Sequence, residues 1–179
     1  MPAMVLVVGR VRGLLEKGHN LYCRDRAREI IPGALTRLEV ELAKRSKVFY
    51  ICDTHRPDDL KFQMFPVHCV KGTGKSEAVP EMEPYQRERI NKQRYSGFYD
   101  TNLEELAQGK IVICSVCTDI CLLHTTADAR NRDYRKDVPT DAVVTFDEEA
   151  HEWALQRTES ILGARLITAQ VRRPSLACL

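Results

Sequence analysis

Short, unbroken apolar runs alternating with segments of helical periodicity constrain this chain more than any other feature. Met4-Val-Leu-Val-Val8, Val48-Phe-Tyr-Ile-Cys52 and Lys110-Ile-Val-Ile-Cys114 have the length and β-branched content of strands buried on both faces. Ala142-Val-Val-Thr145 is a shorter run of the same kind, and Leu166-Ile167 begins a last one. Between them, Asp25 to Ala43 places Ile30, Ile31, Leu35, Leu38 and Leu42 at three- and four-residue spacing among charges. Pro32 suits a first turn, so that helix proper is expected to begin near Ile31. Asn102 to Gln108 carries Leu103 and Leu106, and Thr118 to Arg132 follows the third strand directly. Asp147 to Leu162 has Asp147 as an N-cap, acids in its first turn and Gly163 just past its end.

Strands alternating with helices predict an α/β fold with a mostly parallel sheet covered on both faces. Ligands bind such sheets beyond the carboxyl ends of the strands, so the residues after the second and third runs matter most. A length of 179 residues without repeat, low-complexity tract or linker fits a single domain spanning 1–179. The long irregular stretch from Arg56 to Arg89 has the length of a functional loop region.

Composition narrows the function classes. With 27 basic against 25 acidic residues, the chain lacks the basic excess of a nucleic-acid binder. No run approaches the ~18 apolar residues of a membrane span, and Met1 to Arg10 lacks the features of a signal peptide. Seven cysteines in such a chain read as reduced thiols. A soluble cytoplasmic globular protein, without nucleic-acid or membrane partners, is expected.

Two constellations could carry chemistry. After the second strand come Asp53-Thr-His55 and then Phe65-Pro-Val-His68-Cys69. Asp and His two apart in an extended segment point the same way and can share a cation, with a further His supplied by a loop. On spacing alone such a pair is equally at home on a surface. After the third strand comes Cys114-Ser-Val-Cys117-Thr-Asp-Ile-Cys121. Cys121 falls in the first turn of the following helix, where backbone N–H groups and the dipole favour a thiolate and can hold an oxyanion. The competing readings are a thiolate cluster or redox site and plain buried cysteines. Lys92-Gln-Arg-Tyr95-Ser-Gly-Phe98 lies between them, with nothing local to set Lys92 apart from a solvated lysine.

Taken in order, Asp53-Thr-His55, Phe65-Pro-Val-His68-Cys-Val-Lys-Gly-Thr73, Lys92-Gln-Arg-Tyr-Ser-Gly-Phe98, Val116-Cys-Thr-Asp-Ile-Cys121 and His124-Thr-Thr-Ala-Asp-Ala129 resemble the isochorismatase-like cysteine hydrolases. The resemblance is to the nicotinamidase-type branch and covers roughly residues 4–167. It implies a three-layer αβα fold with a Rossmann-like sheet and hydrolysis of a small amide, nicotinamide first, through a cysteine thioester. Cys121 falls on the nucleophile and Lys92 on the catalytic lysine. The backbone N–H groups of Cys117 and Cys121 fall on the oxyanion hole, with a cis peptide between Val116 and Cys117. Asp53, His55 and His68 fall on ligands of a divalent metal that orients the substrate, zinc first and iron or manganese as alternatives. Tyr95 and Phe98 are pocket candidates that could stack on a flat ring, and relatives form homo-oligomers.

The departures point elsewhere. Gly9 stands where the family carries its catalytic Asp, the general base. Lys61 stands where some nicotinamidases carry a Glu near the metal, and a cation there would repel the ion. Ser115 replaces a glycine before the cis peptide, and Tyr134-Arg-Lys-Asp-Val138 puts successive charges where an apolar strand belongs, so a frayed or shortened strand is expected. The alternative to a working hydrolase is therefore a catalytically impaired relative kept as a binding or structural module. A metal- or redox-sensing protein using Cys114, Cys117 and Cys121 is a third reading.

Overall fold

The computed structural model describes residues 2–168; Met1 and residues 169–179 of the expected domain lie outside the described residues. Among the described residues, seven strands form one sheet: β1 (Met4–Val8), β2 (Lys47–Asp53), β3 (Glu88–Lys92), β4 (Lys110–Val116), β5 (Arg135–Pro139), β6 (Val143–Val144) and β7 (Arg165–Ile167). Their order is β3-β2-β1-β4-β5-β7, β6 lies beside β4, and every pairing is parallel. The helices are α1 (Arg12–Leu15), α2 (Arg26–Glu29), α3 (Ile31–Ala43), α4 (Leu103–Leu106), α5 (Leu123–Asn131) and α6 (Glu148–Ser160). The expected helix at 118–132 is thus split: a wide π-type turn, Thr118–Leu122, precedes α5.

Side-chain alternation along the strands builds two cores, as the period of two requires. Val5, Val7, Val48, Tyr50, Val112 and Cys114 face Ala34 and Leu38 of α3. Leu6, Val8, Phe49, Ile51, Ile111 and Ile113 face the other way, with Leu103, Ala129 and Leu155 of α4, α5 and α6. The result is the expected three layers. Asp147 caps α6 by accepting from the Ala150 N–H at 2.9 Å, and Gly163 ends the segment at φ +66°. Among the described residues, no helix is long and apolar enough to cross a membrane.

Two strands were not legible as apolar runs. β3 is an edge strand that buries Ile90 and Lys92 and leaves Glu88 and Asn91 exposed. The charged segment before Val138 is a regular strand, not a frayed one. Asp137 is buried, and its register partner on β7 is Arg165, which forks onto the carboxylate at 3.1 and 2.8 Å. Lys110 of β4 adds an ion pair at 2.6 Å, and the Lys136 ammonium donates to the Tyr134 carbonyl at 2.8 Å. Charges that look costly one at a time are paired across strands distant in sequence. Asp137→Ala should therefore cost about 1–3 kcal/mol, a fall of roughly 2–4 °C in Tm per kcal/mol for a chain of this size. Thermal melting checks this, and an unchanged Tm would mean the pairings contribute nothing.

Candidate active site

Register positions the site. The last residue of β2, Asp53, pairs with the last residue of β3, Lys92. The Lys92 ammonium donates to Asp53 Oδ1 at 2.7 Å and to the Arg94 carbonyl at 3.1 Å, and lies 3.4 Å from Cys121 Sγ. Cys121 arrives from the turn after β4, which begins at a cis peptide between Val116 and Cys117 and closes with the Leu122 N–H on the Cys117 carbonyl at 3.1 Å. Asp53 and Lys92 are each 1% exposed and Cys121 5%. The arrangement sits beyond the carboxyl ends of β2, β3 and β4, where a parallel sheet places its ligands.

Burial and charge pull against each other here. Burial alone would raise the Asp53 carboxyl, but the Lys92 ammonium, the nearby His55 imidazole and the Lys61 ammonium hold it well below the usual carboxylate range. Burial would lower Lys92, yet Asp53 and Cys121 raise it above an ordinary lysine. Burial pushes the Cys121 thiol up, with Lys92 opposing it. Burial and the Lys92 ammonium thus act on the thiol in opposite directions.

Asp53, His55 and His68 are brought close together. His55 Nε2 is 3.6 Å from Asp53 Oδ1, and the two imidazoles lie 4.7 Å apart edge to face. The loop is clamped by the His55 N–H on the Cys69 carbonyl and the Lys71 N–H on the His55 carbonyl, each at 2.9 Å. His55 Nδ1 lies 3.0 Å from Asp59 and His68 Nδ1 2.6 Å from the Pro66 carbonyl, so each ring is held through one nitrogen, as metal-binding histidines commonly are. Asp53 Oδ2 and His55 Nε2 are buried without a hydrogen-bond partner. Burial lowers His68 to about 4, so it is neutral at physiological pH.

Lys61 breaks the pattern. Its ammonium lies 3.3 Å from Asp53 Oδ1, the oxygen that Lys92 already holds. At ~4 Å an ammonium and a dication repel by roughly 8 kcal/mol at an effective dielectric of 20. Among the described residues, no three His, Cys, Asp or Glu side chains are arranged to hold a metal ion. The expected metal does not fit this set while Lys61 occupies Asp53.

Gly9 is more than a missing carboxylate. It has φ +68°, its N–H donates to the Ile51 carbonyl at 3.0 Å, and a Cβ there would lie 2.2 Å from the Val116 carbonyl oxygen. The backbone itself fills the space a side chain would need. Arg10, next in the chain, turns away into the core beside Tyr50 and Cys114 and donates to the Ala142 carbonyl.

Beside Cys121 a pocket is walled by Leu14, Leu21, Phe65, Ile120 and Phe146 and by the polar Asp53, Lys61 and His68. Phe98 does not line it: the ring is buried in the second core, stacked on Tyr134 at 6.1 Å. Tyr95 touches this region through Phe65 at 6.3 Å and through Lys61, whose ammonium lies 5.1 Å from its ring centre. Leu14, Leu21 and Phe146 carried no sequence signal, because single apolar residues far apart in the chain announce no pocket. Cys114 lies inside β4, and Cys117 lies 3.8 Å from Cys23, so the three cysteines of the strand-turn segment form no cluster.

A cysteine-bearing turn after a central parallel strand has a buried lysine and carboxylate beside it. The Isochorismatase domain family model matches residues 3–171, and the chain belongs to that family. It is 32% identical over 162 residues to an uncharacterised isochorismatase family protein, PncA, of Bacillus subtilis (strain 168), covering 82% of this chain and 88% of that one. A solved structure of nicotinamidase PncA from Bacillus subtilis is 28% identical with a TM-score of 0.84, covering 93% and 99% of the two chains. The pyrazinamidase of Pyrococcus horikoshii, solved in complex with zinc, is 25% identical with a TM-score of 0.83, covering 93% and 99%.

Gly9→Asp should not add a base. It should destabilise the fold by about 1–3 kcal/mol or more, since a non-glycine residue is forced to positive φ against a carbonyl. Denaturant unfolding tests this. A Gly9→Asp protein as stable as its parent would show that β1 and β4 can part to admit the side chain.

Proposed function

We propose that this protein is a cysteine amidohydrolase of small amides, with nicotinamide as the leading substrate. The observation that supports it is the Lys92 ammonium held between Asp53 Oδ1 at 2.7 Å and Cys121 Sγ at 3.4 Å. Asp53 fixes the lysine in place, and Lys92 stabilises the sulfur as it becomes a thiolate and the charge that develops on attack. Cys121 Sγ attacks the amide carbon, and the thiol proton leaves with the departing nitrogen as ammonia. Water then cleaves the thioester, releasing the carboxylic acid and returning a proton to Sγ. The N–H groups of Cys117 and Cys121 are assigned to the oxyanion. The apolar walls around Cys121 suit a flat ring and exclude water. No step of this proposal passes through a metal ion.

One observation favours a second reading, that of an impaired relative that binds without turnover. Gly9 offers no carboxylate to Cys121, and its backbone leaves no room for one. Loss of a group that acts within a catalytic unit commonly costs several orders of magnitude in rate.

Ammonia release from nicotinamide separates the two. Turnover that Cys121→Ala abolishes, and that Lys92→Met lowers by about 10²–10⁴-fold, supports the hydrolase. Binding of nicotinamide without ammonia release supports the second reading, and turnover that survives Cys121→Ala would overturn the first. Because burial raises the Cys121 thiol, its reactive form grows as pH rises. The rate should therefore climb through neutral into alkaline solution. A pH profile already flat in the acid range would contradict this.

A further inference from the structure

We infer that Lys61 is a built-in cation that takes the place of a divalent ion in this pocket and receives the acceptor group of the substrate. The case begins with local structure. Lys61 lies in the 3₁₀ turn Leu60–Gln63, capped by Asp59, whose Oδ1 accepts the Lys61 N–H at 2.9 Å. Two neighbours of the same loop, Leu60 and Met64, are 69% and 77% exposed, whereas the Lys61 side chain is 8% exposed. A lysine on an exposed turn normally extends its ammonium into water. Here it turns inward, crosses the Tyr95 ring at 5.1 Å and ends 3.3 Å from Asp53 Oδ1.

Asp59 makes this placement a by-product of the histidine scaffold. The same carboxylate that caps the turn contacts His55 Nδ1 at 3.0 Å and is held by Arg94 at 3.0 Å. The residue that would orient a metal ligand therefore delivers the ammonium onto the carboxylate such an ion would need. His68 and His55 are left as neighbours of Lys61 rather than as ligands. Asp53 faces two ammoniums, Lys61 and Lys92, so one positive charge is uncompensated until Cys121 becomes a thiolate or a ligand brings an acceptor.

Lys61, His68 and Cys121 line one pocket. An amide whose carbonyl carbon meets Cys121 can point a second lone-pair acceptor, a ring nitrogen or a carboxylate, at the Lys61 ammonium. Lys61 is thus a positioning residue for substrate. This substrate role rests on the amidohydrolase reading; the exclusion of the metal does not.

Equilibrium dialysis against zinc followed by elemental analysis tests the exclusion without measuring activity. The parent protein should retain well under one zinc per chain. Lys61→Gln should gain a stoichiometric zinc that the additional change His68→Ala removes, with circular dichroism confirming that each variant is folded. Stoichiometric zinc in the parent would overturn the inference, and so would a folded Lys61→Gln protein that gains none. For the substrate role, Lys61→Met should raise KM for nicotinamide about tenfold more than for benzamide, which lacks the ring nitrogen. An equal change for both would remove Lys61 from substrate positioning while leaving the zinc result standing.

Discussion

The buried ion pair between Asp53 and Lys92 is the constraint on which the site depends. Two charges at the ends of adjacent parallel strands are each nearly sealed from solvent, and they face each other because β2 and β3 pair in register. Removing one partner of such a pair typically costs about 3–5 kcal/mol, because the other is left stranded. That cost ties register to chemistry. A one-residue slip of β3 would send Lys92 to the opposite face of the sheet and strand Asp53. Cys121 then completes the group from the turn after β4, brought within 3.4 Å of the ammonium.

The same carboxylate carries the inference that Lys61 takes the place of a divalent ion. Asp53 can serve a lysine or a divalent ion, and here Lys61 and Lys92 already hold the same oxygen. The histidine scaffold persists around it, with Asp59 and Pro66 fixing both imidazoles. On that inference the pocket draws its positive charge from the Lys61 and Lys92 side chains. Asp53 is the carboxylate in contact with the lysine beside the cysteine.

How much of this was legible depends on the distance between partners. β1, β2 and β4 announce themselves because each residue in them is apolar or nearly so. β5 hid behind Lys136 and Asp137, whose partners include Arg165 and Lys110, tens of positions away. Cys121, Lys92, Asp53, His55 and His68 could be placed from ordered motifs, and the structure brings them together. The motifs could not reveal that Asp53 turns to two lysines, or that Phe98 belongs to the core rather than the pocket. The sequence could not show that Gly9 is also a packing requirement, with positive φ and the Val116 carbonyl against it. The motif showed the helix start beside Cys121 but not the depth of its burial.

The central claim is that Cys121 forms a covalent acyl intermediate with Lys92 as its electrostatic partner. Acid-quench mass spectrometry of the protein mixed with excess nicotinamide tests it most directly. The account expects a transient adduct of nicotinoyl mass that maps to Cys121 and is strongly diminished in Lys92→Met. Ammonia released with no adduct at any mixing time, or an adduct on another residue, would contradict it.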